Sequence, residues 1–264
     1  MSGRAADTPS DTADLVGPVM VRLVGAVPHV QELLSQPVIV GGLAVMIRLG
    51  TSHRATQDLD ALRRRHEGGA TGLEILSAAG ATEMDEVGGI LATDRGEVRV
   101  DVLESGPHEL DRTFTDATDR LEATAHLWTL ETATPVLITA TAIEAKGGST
   151  AVDTTQAEAL VARPGPLVAM KMKASVDRFA AKEATDLLDV VRLVTDPATA
   201  GLVASEFAAG DPQLRADVAT HVDQQFRRNS LRTRRLINDL NSPQVDDELT
   251  SGAIEFLEGA LSTS

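Results

Sequence analysis

The chain contains no cysteine and no tyrosine, only one tryptophan and five phenylalanines among 264 residues. The missing thiols exclude disulfides, thiolate metal sites and a cysteine nucleophile, and they fit a reducing cytoplasm. The shortage of aromatics removes the platform on which single-stranded bases usually stack and leaves packing to Ala, Val and Leu. No uncharged apolar run approaches the length of a bilayer crossing, and Met1 to Asp14 lacks the apolar core of a signal peptide, so a cytoplasmic chain without a membrane role is expected. Positive charge is also short: 24 Lys and Arg against 39 Asp and Glu leave a formal charge of −15. Such a surface disfavours sequence-blind adhesion to nucleic acid, which is driven by release of counterions from phosphates. An RNA partner would need a local patch, and two are present: Arg63, Arg64 and Arg65, and Arg227, Arg228, Arg232, Arg234 and Arg235. Each alone reads first as a solvated face.

With 42% hydrophobic residues the chain can bury a proper core. Its pattern predicts an α/β (α+β) fold in three stretches: a disordered start over 1–14, an α/β domain with a mixed sheet over 15–165, and a mainly helical part over 166–264. Asp11 to Leu34 has helical spacing of Leu and Val, interrupted near Gly17-Pro18 and Pro28. Pro37 to Val40 reads as a strand ending in Gly41-Gly42, and Leu43 to Leu49 as a helix closing at Gly50. Gln57 to Leu62 is a second strand candidate, Gly72 to Ala79 a helix, and Glu97 to Leu103 a third strand, with Val98, Val100 and Val102 on one face and Arg99, Asp101 and Leu103 on the other. Pro135 to Ile143 and the shorter Ala159 to Ala162 follow. From Leu167 to about Leu240 the spacing is helical.

Three carboxylates concentrate the chemistry. Asp58 and Asp60 lie two apart in a strand candidate and therefore project from one face, the geometry for sharing a divalent cation. Asp101 sits in a Val-rich strand, where an uncompensated charge is costly. Together they could hold Mg²⁺ or Mn²⁺, which would neutralise a triphosphate and activate an attacking hydroxyl. Gly41 and Gly42 end a strand just upstream, where the missing Cβ atoms and a helix N-terminus let phosphate oxygens approach the backbone.

In order, these pieces carry a resemblance. Val40-Gly-Gly-Leu-Ala-Val45 followed by Arg54-Ala-Thr-Gln-Asp-Leu-Asp60 resembles the first motif of the AbiEii/AbiGii toxin family of nucleotidyltransferases, which includes the MenT-type toxins and belongs to the polymerase-β superfamily. Met170-Lys-Met-Lys-Ala174, Arg178 and Lys182-Glu-Ala-Thr-Asp-Leu-Leu-Asp-Val190 are similar to its later helical motifs. The likeness spans about residues 37 to 195. It implies a polymerase-β-like core, with Thr56 and Asp58 in the phosphate and metal site, Asp60 as second metal ligand, Lys171 on the NTP phosphates and Asp186 closing the site. Arg54 would help Lys171 stabilise phosphate charge. Lys173 competes with Lys171, whose register places Ala174 and Arg178 correctly. Asp101 rests on strand chemistry alone. Leu43 stands where polymerase-β relatives commonly have serine, leaving Thr56 or Ser52 to supply a hydroxyl.

Other readings remain. Asp189 reads as a structural partner of Arg178, Lys182 or Arg192, and Lys171 taken by itself as an exposed helix lysine. The six histidines form no zinc spacing, and only His53, beside Arg54, adjoins the proposed site. No Walker loop, dinucleotide fingerprint or nucleophile elbow is present. The resemblance implies transfer of NMP from an NTP to the 3′ end of tRNA by the toxin of a type IV toxin–antitoxin pair, with an antitoxin protein as partner. A small-molecule or protein acceptor, or a non-catalytic nucleotide- or partner-binding module, are the alternatives.

Overall fold

The computed structural model describes residues 11–52, 56–106, 108–146, 149–177, 180–240 and 247–262. A seven-stranded mixed sheet runs in the order β1-β6-β7-β2-β3-β5-β4. Its strands are β1 (Asp11–Val16), β2 (Val38–Val40), β3 (Asp58–Arg64), β4 (Gly88–Thr93), β5 (Gly96–Ser105), β6 (Thr134–Lys146) and β7 (Ser149–Val161). Pairs β1/β6, β2/β7 and β3/β5 are parallel, and β2/β3, β4/β5 and β6/β7 antiparallel.

Several elements follow local chemistry. In α2 (Gly41–Leu49) the left-handed Gly50 caps the end, its N–H donating to the carbonyls of Met46 and Ile47. In α3 (Gly72–Ala78) Thr71 and Glu74 form a reciprocal capping box. Val98, Val100 and Val102 are buried as the alternation in β5 requires, and Gly72 rests against Val102. That face of the sheet is covered by α1 (Pro18–Leu34) and α3. The opposite face of β3 and β5, bearing Asp58, Asp60, Asp101 and Leu103, looks toward α4 (Ala117–Thr132) and α5 (Pro164–Asp177).

The structure differs from the sequence reading at four places. Residues 11–16 form a strand rather than the start of a helix, because Ala13 and Leu15 alternate inward onto β6 and the left-handed Gly17 with Pro18 at the first helical position starts α1 afresh. β1 thus includes Asp11 to Asp14, the end of the stretch read as disordered. β7 is much longer than Ala159 to Ala162, since its polar Thr150–Gln156 half is held by register with β6. β4 begins on Gly88-Gly89, which locally signals a turn; a Cβ at Gly88 would stand 2.0 Å from the Val100 carbonyl, so close strand approach demands glycine. The helix α4, rich in Thr and Ala and weakly patterned, starts at Asp116, whose carboxylate accepts from the Thr118 and Asp119 N–H groups.

The helices after residue 165 share the core of the sheet: one buried apolar cluster runs from Ala13 to Leu257. They are α5, α6 (Ala180–Thr195), α7 (Ala200–Ala209), α8 (Pro212–Val222), α9 (Ser230–Asp239) and α10 (Asp247–Ser262), with a π-turn over Asp223–Arg228. Polar ties add to this packing, within the sheet layer and between it and the later helices. Arg48, at the end of α2, donates to the Val161 and Ala162 carbonyls and the Thr134 hydroxyl, and Arg120 of α4 makes a two-pronged pair with Asp217 of α8. Among the described residues no helix is long and apolar enough to cross a membrane.

Candidate functional site

The strand register assembles the acidic face. β3 and β5 are parallel neighbours that pair Asp60 with Asp101 and Asp58 with Arg99, so all four side chains leave the same face of the sheet. Val40, the residue before Gly41, pairs with Asp60. The N-terminus of α2 therefore begins beside that carboxylate. Gly41 has φ +64°, and a Cβ there would stand 1.8 Å from Asp60 Oδ2. Both the left-handed backbone and the proximity of Asp60 exclude a side chain at this position.

The helices supply the opposing wall. Lys171 on α5 reaches inward with 7% of its side chain exposed, and its Nζ donates to Asp186 Oδ1 at 2.6 Å and lies 3.0 Å from Asp189 Oδ2, both on α6. Asp186 and Asp189 are three apart and so share a helix face. Burying an ammonium is costly, and two carboxylates compensate it here. Lys171 is thus no exposed helix lysine, and Asp189 pairs with it while also acting on Arg192, one of the partners expected for it. The signal was in the sequence: an inward lysine on one apolar helix requires inward carboxylates on the next.

Gly42, Thr56, Asp58, Asp60, Asp101, Lys171, Lys182, Thr185 and Asp186 line a single, almost wholly polar cleft. Of the sequence candidates, seven meet there, and Gly41 borders it through Asp60. Arg54, with His53 and Arg178, lies outside the described residues. Lys182 and Thr185, which the sequence does not single out as site residues, join from α6. Four carboxylates face two ammonium groups, so the cleft is acidic and suits a cation, or an anion carrying one, better than a bare phosphate.

Among the described residues no three His, Asp or Glu side chains form a ready-made cation cage. Asp101 Oδ1 accepts from Arg99 Nε at 2.7 Å, and the same guanidinium binds Asp85 at 2.5 Å. Hydrogen bonds from Arg99 and from the Val87 and Gly88 N–H groups hold the Asp85 carboxyl down at about 2. Asp101 is thus already engaged. Asp58 and Asp60, two oxygen donors on one face, fit Mg²⁺, which usually takes one or two protein carboxylates and completes its shell with water and substrate phosphates.

Beside the polar cleft, and sharing Asp60, Lys171 and Asp186 with it, opens a mainly apolar chamber. Leu103 forms its floor, and Ala125, Leu167, Met170 and Ala174 its walls. Glu122 and His126 enter from α4, and Lys173 and Asp177 from α5. Burial alone would lower the Lys173 ammonium, but its pairs with Asp177 at 2.6 Å and Glu122 at 2.7 Å outweigh that and raise it. Lys173 therefore serves the chamber, and Lys171 the cleft. His126, 8% exposed, is lowered by burial below the ordinary histidine value, against the opposing pull of Glu122 and Glu109. Nothing about the sequence of α4 marked this histidine.

The late arginine patch is committed to partners within the chain, and the early one only at Arg63, with Arg64 and Arg65 exposed. Arg63 is buried near Glu104. Arg232 makes a two-pronged pair with the buried Glu183, while Arg227 meets Glu258, Arg228 meets Asp223, Arg234 meets Ser251 and Arg235 lies 3.9 Å from Asp239. The more exposed of these pairs are weak enough for a phosphate to displace. Compared with known proteins, the chain matches no family model, no curated protein and no solved structure.

Proposed function

We propose that the chain is a Mg²⁺-dependent nucleotidyltransferase that moves a nucleoside monophosphate from an NTP to an acceptor hydroxyl. The observation that carries this reading is the convergence of Asp58 and Asp60 from the sheet with Lys171 and Asp186 from the helices on one polar cleft at the start of α2. The resemblance of the Val40–Asp60 and Met170–Val190 segments to AbiEii/AbiGii toxins points the same way. Asp58 and Asp60 hold the cation. When bound, it neutralises the triphosphate and activates the attacking hydroxyl. The N–H groups opening α2, the Thr56 hydroxyl and the Lys171 ammonium receive phosphate oxygens, with Arg54 as a further expected contact. The acceptor oxygen bonds to the α-phosphorus, the α–β phosphoanhydride breaks, and pyrophosphate leaves. The acceptor proton passes to a carboxylate of the cleft. Positioning and electrostatics supply most of the acceleration in such transfers.

The acceptor we propose is the 3′ end of tRNA, making the chain a toxin with an antitoxin partner. Purified protein incubated with Mg²⁺, each labelled NTP and total tRNA should label RNA, and an Asp58→Ala variant of unchanged fold should not. No label with any of the four nucleotides would end the enzymatic reading in favour of a non-catalytic module. A small-molecule or protein acceptor is favoured by one observation: each of the five late arginines already has a partner within the chain. Label on protein or drug but never on RNA would select it.

A further inference from the structure

The polar cleft accounts for phosphates and a cation, but not for the chamber that opens from it. The chamber is of different chemistry: its walls are Leu103, Ala125, Leu167, Met170 and Ala174, and its free space of about 100 Å³ is less than the roughly 300–1,000 Å³ common to whole small-molecule sites, so it takes one flat group of a larger ligand rather than the whole. Apart from the residues it shares with the cleft, its charges are Glu122, Asp177 and Lys173, a balance of −1 in which the lysine is held by both carboxylates. A phosphodiester chain would meet repulsion and desolvation there. An uncharged, flat, partly apolar group would not.

One polar side chain in this wall is not used by the fold. His126 is more than nine-tenths buried, lines the chamber, and its ring makes no hydrogen bond to any described residue. Around it stand Glu122 on the preceding turn of α4, Glu109 on the short turn before α4, and Lys173 across on α5. Burial keeps the ring neutral, so it carries one N–H donor and one acceptor nitrogen. No hydrogen bond from a described residue occupies this donor–acceptor pair, so a ligand edge offering the complementary pair can take both ring nitrogens.

We propose that the chamber receives the base of the donor nucleotide, and that His126 hydrogen-bonds its edge, making it a specificity-determining residue of the transfer. This rests on the nucleotidyltransferase reading and deepens it. The shared residues Asp60, Lys171 and Asp186 are the junction at which the α-phosphate passes from cleft to chamber. The base lies between aliphatic side chains and Met170 rather than on an aromatic ring, so discrimination falls to the imidazole.

The test separates the two compartments. Calorimetry in Mg²⁺ with the full chain compares inorganic tripolyphosphate, which can fill only the cleft, with the α,β-methylene analogues of the four nucleoside triphosphates, which can fill both. The expected result is that the best analogue binds at least tenfold tighter than tripolyphosphate, and that His126→Ala removes most of that advantage while the tripolyphosphate Kd changes by less than twofold. His126→Gln, which keeps a donor and an acceptor, should restore part of the advantage. Ala174→Met, which fills the chamber from a partly exposed position, should weaken the analogues and spare tripolyphosphate. If analogues bind no tighter than tripolyphosphate, or if both variants bind every probe as the parent does, the chamber is not the base site although the cleft remains a phosphate site. If tripolyphosphate and analogues alike fail to bind, the nucleotidyltransferase reading falls and this inference falls with it.

Discussion

Lys171 and Lys173 stand two residues apart on α5, yet they serve opposite environments. Lys171 is buried between Asp186 and Asp189 in the polar cleft; Lys173 sits at the chamber, paired with Glu122 and Asp177, both well exposed. The ion-pair partners come from the next helix in one case, and from the preceding helix and the same helix in the other. The difference teaches that charge near a site has two uses. A desolvated network fixes geometry and is expensive to disturb, whereas a hydrated pair tunes the rim at little cost.

The comparison breaks most readily at the cleft. Asp58→Ala and Asp60→Ala should each lower NMP transfer by about 10³-fold or more, because loss of cation-mediated charge stabilisation is worth several kcal/mol; single-turnover assays with labelled NTP measure it, and an active double variant would refute the assignment. Asp189→Ala should destabilise the fold by about 3–5 kcal/mol by stripping one partner from a buried ammonium, read as a shift in denaturant midpoint with unchanged slope. A loss below about 1 kcal/mol would mean that Lys171 reaches water. Gly41→Ala should cost about 1–2 kcal/mol from its left-handed backbone, but its larger effect should be on transfer, since the new methyl displaces the Asp60 carboxylate. Equal losses of activity in Gly41→Ala and Gly50→Ala, the latter with open space around the added atom, would show that Asp60 placement is not what matters.

Smaller effects probe the chamber. Because burial lowers His126, its unfolded form binds the proton more readily. Stability is therefore full above about pH 6.5 and declines as pH falls below that ordinary value. His126→Gln should flatten this part of the profile, measured by denaturant unfolding at pH 7.5 and 5.5; parallel profiles would place the imidazole in water. Last, Lys173→Met should change stability by less than about 1 kcal/mol, as expected for a pair with exposed partners. An effect approaching that of Asp189→Ala would erase the distinction between the two lysines.

The acidic face was legible early because strand alternation is a local rule. Asp58 and Asp60 share a side wherever β3 is placed, and Val98, Val100 and Val102 had to turn away from Asp101. The Gly50 cap, the helix from Gly72 and the helical run after Leu167 were equally local. The resemblance supplied roles for Lys171 and Asp186 that spacing alone could not. Arg54 falls outside the described residues, so its place is carried by that resemblance alone. β4 and most of β7 were not legible: Gly88-Gly89 resembles a turn, and Thr150–Gln156 has no apolar stripe, yet both are strands because a neighbour pairs with them. The helix α4 was hidden by its Ala and Thr content, and with it His126.

By itself the sequence determined which residues could share a face, where glycine was needed to turn, and that the chain would be acidic, cysteine-free and of mixed α/β character, since these depend on side chains and on the periods 2 and 3.6. Only the tertiary structure decided that Asp60 faces Asp101 across a parallel register, that Lys171 rather than Lys173 reaches the carboxylates, and that an unmarked histidine on α4 opens onto a second compartment. Those outcomes depend on which distant segments pack together, a choice set by burial of the whole core rather than by any local stretch of chain.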